Sequence, residues 1–168
     1  QNFGAKLWPR VRGALANGLI FLGIYTVVVT LILFGLRQSI ADAFGASGEA
    51  RDLVLLFCGP LALAFFFNGA LFVSNASFNN LGRPFDATLL NWGRHTLGTI
   101  PPALVGAAWL GAEGALIGQA VGGIVFACIA VWLSFRLIDA HEAGAASLSP
   151  WPHLMPRIPS WPGSTPRS

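Results

Sequence analysis

Charged side chains make up only 10% of this 168-residue chain, against 54% hydrophobic ones, where a soluble domain carries about 25% charge. That shortage excludes an ordinary soluble domain. Seven Asp and Glu are present in all, and none falls within the four uncharged windows 13–36, 53–82, 95–112 and 114–135. These windows therefore lack the carboxylates that usually bind Na+ or relay protons inside a bilayer. The two cysteines, Cys58 and Cys128, both lie in apolar windows, which fits small buried hydrophobes and no disulfide framework. Also missing are a metal-ligand cluster, a phosphate-cradling glycine loop and a Ser/His/Asp set with supporting context, so no metal, no cofactor and no enzymatic activity is expected. A net charge of +3, tied to window ends, gives no reason to expect a nucleic-acid partner. The single methionine is Met155 and the first residue is Gln1. The sequence reads as truncated, and nothing at its start resembles a signal peptide.

What the chain does have is apolar length. The four windows hold 94 of the 168 residues, and a bilayer-spanning helix needs about 20. The expected fold is all-α, a polytopic transmembrane bundle with spans at about 13–36, 53–78, 86–110 and 114–137. Lys6, Arg10, Arg12, Arg83, Arg94 and Arg136 fall on one side of that arrangement, and Arg37 and Arg51 on the other. The positive-inside rule then puts both ends in the cytoplasm. Residues 37–52 read as an outer connection with at most one short amphipathic turn. The stretch 139–168 holds six of the eleven prolines with interleaved serines, and is expected to be a disordered cytoplasmic tail in which Trp151 and Trp161 are solvated.

The second span is the least ordinary. Gly59 and Pro60 should kink it, because proline removes a backbone hydrogen bond. Asn68, Phe72, Asn75 and Asn79 then recur at spacings of four, three and four, placing three carboxamides and a ring on one helical face. Carboxamides in hydrocarbon need partners, so this face should meet another helix or a water-filled cavity. In the third span Asn91 and His95 are expected to face a cavity mouth, Arg94 to snorkel toward lipid phosphates, and Pro101-Pro102 to kink the helix near its middle. Gly114, Gly118 and Gly122, at strict four-residue spacing, form a ridge for close helix packing. Gln119 beside it is either a structural hydrogen-bonding group or a cavity-lining one.

Three stretches resemble one family. Gln1-Asn2-Phe3-Gly4-Ala5 with Pro9-Arg10-Val11-Arg12 resembles a cytoplasmic connection in the second lobe of the multidrug and toxic compound extrusion (MATE) transporters. Ser74-Asn75-Ala76-Ser77-Phe78-Asn79-Asn80-Leu81-Gly82-Arg83-Pro84, followed by Leu90-Asn91-Trp92-Gly93-Arg94, resembles the next such connection. The run Gly111-Ala112-Glu113-Gly114-Ala115 to Gln119 is similar to the tight outer turn before the last helix. The resemblance implies that residues 1–138 are part of the C-terminal lobe, helices nine to twelve of a twelve-helix, two-lobe transporter whose first lobe lies upstream. It further implies a bacterial inner-membrane antiporter that exports organic, often cationic, solutes in exchange for H+ or Na+. The chain departs from some Na+-coupled members in having asparagines and no acid in the second span.

The expected partners are thus an organic solute, a coupling H+ or Na+, the lipid bilayer and the first lobe. Asn68, Phe72, Asn75, Asn91, His95 and Gln119 are the expected cavity wall, and the four helices alone should not transport. Two alternatives stand beside this: a four-helix membrane scaffold or subunit associating through the glycine ridge, and a lipid-linked saccharide flippase. The flippase usually needs several arginines, and only Arg94 is placed to serve.

Overall fold

A computed structural model describes residues 7–144. The motif at 1–5 and the tail tryptophans Trp151 and Trp161 lie outside the described residues. The order is α1 (Trp8–Ala43), α2 (Glu49–Cys58), α3 (Pro60–Asn80), α4 (Pro84–Thr96) and α5 (Ile100–Glu142). Among the described residues there is no strand.

Helix α1 opens with Pro9 in its first turn, where the missing N–H costs no hydrogen bond. It runs on for 36 residues, about 54 Å at 1.5 Å per residue, well beyond a ~30 Å hydrocarbon layer. Its extra length takes in residues 37–43 of what reads in sequence as an outer connection. Only 11% of its most apolar window is buried, and Phe21, Ile24, Tyr25, Leu31 and Ile32 are all more than half exposed. An aqueous protein could not leave that much apolar surface in contact with water. Thr26 and Thr30 point the other way and are buried.

Three helical stretches are long and apolar enough to cross a membrane: Trp8–Ala43, Pro60–Asn80 and Pro84–Glu142. The last, 59 residues, is folded back on itself at Leu110 and Gly111, whose φ of 62° and ψ of −140° leave helical space. A side chain strains at such a φ, and glycine does not. Beyond the fold the limbs run antiparallel in close register. Built onto the ridge glycines, a Cβ would stand 2.0 Å from the Gly106 carbonyl oxygen at Gly114, 2.0 Å from that of Pro102 at Gly118, and 1.6 Å from that of Gly98 at Gly122. The limbs touch backbone to backbone, as small residues at four-residue spacing permit.

Four expectations need correction. Gly59-Pro60 does more than kink the second span. It ends α2 and starts α3, with Pro60 in the first turn of the new helix. Pro101-Pro102 do not kink the third span from within. The chain leaves the helix at residues 97–99, and both prolines occupy the first turn of α5, the position proline tolerates best. The connection after α1 is short, because α2 begins at Glu49. The last helix continues to Glu142, four residues past the expected tail boundary at 138.

The core lies at the end that holds the α1 N-terminus, the α3–α4 turn and the α5 C-terminus. Leu15, Leu71, Phe78, Leu81, Leu90, Leu137 and Ile138 pack there. Arg12 pairs with Asp139 and lies over the Phe135 ring, 5.2 Å from its centroid. The Trp8 and His141 rings meet at 5.2 Å. Between α3 and α4, Arg83 Nε donates to Asp86 Oδ2 at 2.9 Å, with the two side chains only 11% and 5% exposed. Asp86 lies in the first turn of α4, where a carboxylate favours the helix dipole, and it also pairs with a neighbouring cation.

Candidate functional site

Breaking the second span at Gly59 brings Phe57, from the end of α2, beside Leu61 and Phe65 of α3. A Cβ on Gly59 would stand 2.9 Å from the Leu55 carbonyl oxygen, so the tight junction needs glycine. Facing these residues are Arg94 of α4 and Leu116, Gln119 and Gly123 of α5. Together with Ala64, Asn68 and Ala120 they enclose a cavity of about 70 Å³. Its walls are apolar except for Asn68, Arg94 and Gln119.

Asn68 and Arg94 meet directly: the guanidinium donates from Nη2 to Asn68 Oδ1. Gly123 lies against this pair, and a Cβ there would sit 3.7 Å from Nη2, in ordinary van der Waals contact. Arg94 Nε is buried with no acceptor, and among the described residues no carboxylate pairs with Arg94. Gln119 is exposed at the cavity. About two turns further along α3, Asn75, 8% exposed, donates from Nδ2 to Asn91 Oδ1 at 3.1 Å. Asn91 Nδ2 donates to the Ala87 carbonyl at 3.0 Å, so this second polar pair joins α3 to α4 and lies outside the cavity.

The structure therefore divides the expected wall. Asn68 and Gln119 line the cavity. Asn75 and Asn91 bond to each other. Phe72, 69% exposed, and His95, exposed, point away from both pairs. Arg94, expected to reach for lipid phosphate, instead turns inward. Two signals in the sequence point that way: Arg94 lies ten residues into a helix that starts at Pro84, about 15 Å deep, and Asn91 is one turn before it on the same side. Phe57 and Phe65 were not singled out, and nothing in the sequence pattern marks them before the break at Gly59 is known.

The rotation of α4 that carries Arg94 inward is fixed by glycines. Phe126 of α5 lies so close to Gly93 and Gly98 that a Cβ would come within 2.8 Å and 2.7 Å of its ring. With that face of α4 against α5, Arg94 points toward α3 and His95 away from it.

A family model for MatE matches residues 1–104. The chain belongs to the MatE family. The matched part of this MatE protein runs from before α1 into the start of α5, and so includes Asn68 and Arg94, while Gln119 and the glycine ridge lie beyond it. No curated protein and no solved structure matches the chain. MatE proteins are membrane efflux transporters and not enzymes. With three long apolar helical stretches, this one is an integral, multi-pass membrane protein.

Proposed function

We propose that this MatE chain forms one wall of the solute pathway in a secondary antiporter of the bacterial inner membrane, which exports organic solutes in exchange for H+ or Na+. The observation that carries the reading is the cavity holding Asn68, Arg94 and Gln119 inside an otherwise apolar bundle. Polar groups at such a depth are retained where a pathway needs them. In this reading the two limbs of Pro84–Glu142 each cross the bilayer, making four crossings with α1 and with α2–α3 together. The end with Arg10, Arg12, Arg83 and Arg136 is cytoplasmic by its excess of basic residues. The first lobe completes the pathway, and Phe72 and His95 are free to face it. The wall of this lobe holds no acid, so coupling falls to a carboxylate elsewhere in the transporter.

The scaffold alternative loses its main support, because the ridge it would use for association is filled by residues 98–106 of the same chain. The test is counter-transport in proteoliposomes under imposed Na+ or pH gradients. Gradient-driven solute movement by the complete transporter is expected, and none by these 168 residues alone. Dye efflux by proteoliposomes holding only this chain would overturn the one-wall reading, and no gradient dependence in the complete transporter would overturn antiport.

A further inference from the structure

The polar part of the cavity carries one unbalanced charge. Asn68 accepts from Arg94 through its oxygen. Its N–H2 group and the second lone pair of that oxygen are left over. Arg94 makes one hydrogen bond, to that neutral amide, and its Nε is buried with no acceptor. Gln119 adds a carboxamide at the open side, able to donate through its N–H2 and accept through its oxygen. The cavity thus holds a full positive charge with only neutral amides beside it and, among the described residues, no carboxylate to balance it. A cation in surroundings of low dielectric is costly until an anion or a charge-assisted hydrogen bond compensates it. A cationic solute would meet repulsion at the same place.

Size and shape define the ligand further. A volume of about 70 Å³ has room for about five waters at roughly 10–15 Å³ of cavity volume each. It can seat a head group together with part of the body that carries it. At its rim stand Phe57 and Phe65, 44% and 47% exposed, edge to face with centroids 5.5 Å apart. Two exposed rings beside a half-buried cation suit an apolar or aromatic body whose anionic end reaches inward.

We propose that this cavity binds the anionic oxo group of an amphiphilic organic acid, a carboxylate held by Arg94 and Gln119, with its apolar body against Phe57 and Phe65. The inference rests on the transport reading above and narrows it, because it gives this wall a preference opposite to that for organic cations. A lipid phosphate carries the same head-group chemistry, so the test separates the two sources.

The experiment measures equilibrium binding to the purified protein in phosphatidylcholine nanodiscs, with no ion gradient. Three matched probes are used: 2-naphthoate, 2-naphthylmethanol and 2-naphthylmethyl-trimethylammonium. The carboxylate should bind at least about tenfold more tightly than the ammonium. Arg94→Gln should weaken it about tenfold or more, and Arg94→Lys should keep part of the binding, since it retains the charge but loses the fork. Gln119→Glu keeps the volume and puts an anion beside Arg94, so it should abolish the preference even if Arg94→Gln does not fold. Arg37→Gln, in which the charge removed is one stacked on Phe34 outside the cavity, should bind as the parent does. Equal binding of the ammonium, or unchanged carboxylate binding in Gln119→Glu, overturns the proposal. Competition by added phosphatidylglycerol assigns the site to a lipid head group and overturns the organic-acid reading. Retained carboxylate binding without gradient-driven transport counts against antiport alone, and antiport of cations without carboxylate binding counts against the cavity alone.

Discussion

Asn75 and Asn91 face each other across the α3–α4 interface and share a 3.1 Å hydrogen bond, about two turns along α3 and one along α4 from the Asn68–Arg94 pair that borders the cavity. Two asparagines on one face of α3 therefore have different tasks. Replacing Asn75 by Leu should cost about 1 kcal/mol of stability, and a double-mutant cycle with Asn91→Leu should return a coupling near ~0.6 kcal/mol, the usual size for such bonds in membranes. The measurement is thermal unfolding of the purified protein, and a coupling of zero would mean that the pair holds nothing together.

Asn68→Leu should behave in the opposite way. It removes the acceptor from Arg94 at the edge of the cavity, so solute range or rate should change more than the amount of protein in the membrane. Efflux assays beside quantitative blotting compare the two. Unchanged efflux at unchanged level would leave Asn68 with a packing role only.

The hairpin seam gives the sharpest contrast in stability. Gly122→Ala would drive a methyl group to within 1.6 Å of the Gly98 carbonyl oxygen, and overpacking of this kind costs about 1–3 kcal/mol or more. Gly35→Ala meets nothing within 4 Å and lies inside α1, where alanine is favoured over glycine by about 1 kcal/mol. The melting temperature should fall in the first variant and hold or rise in the second.

The buried Arg83–Asp86 pair makes a different kind of prediction. Asp86→Asn leaves a nearly buried guanidinium without its counter-charge and should cost about 3–5 kcal/mol. Replacing both residues, as Arg83→Met with Asp86→Leu, removes the stranded charge along with the pair and should recover most of that loss. Equal damage from single and double changes would show that the turn needs the ion pair itself.

Sidedness is open to chemical labelling. In a variant carrying Cys58→Ala and Cys128→Ala, Asn80→Cys, at the exposed end of α3, should react with an impermeant maleimide only in inside-out vesicles. Ser47→Cys, between α1 and α2, should react in intact spheroplasts. The reverse pattern would invert the proposed orientation.

The apolar windows made the helical fold readable from the sequence, because the number of consecutive uncharged residues is itself the constraint that a bilayer imposes. The glycine ridge and the tight outer turn at Gly111 follow from small residues in the sequence, but the segment that fills the ridge, residues 98–106, does not. Rotation did not follow. Periodicity says that Asn91, Arg94 and His95 lie near one another on α4, but which of them turns inward depends on Phe126 seating against Gly93 and Gly98, a contact between residues far apart in sequence. The same holds for Phe72, whose spacing groups it with Asn68 and Asn75 although it is 69% exposed. The breaks at 59 and at 97–99 were marked by Gly and Pro, but composition does not tell a bend from the end of a helix.

The glycine seam has a consequence for how this region can vary over evolution. In most helix contacts a larger side chain on one partner can be offset by a smaller one opposite. Along 98–106 against 114–122 the opposing atoms are backbone carbonyls, and Gly114, Gly118 and Gly122 are already the smallest residues available. A methyl gained at any of them has no compensating change, so the two limbs must be inherited as one piece, and variation in solute choice is left to the side chains around Arg94.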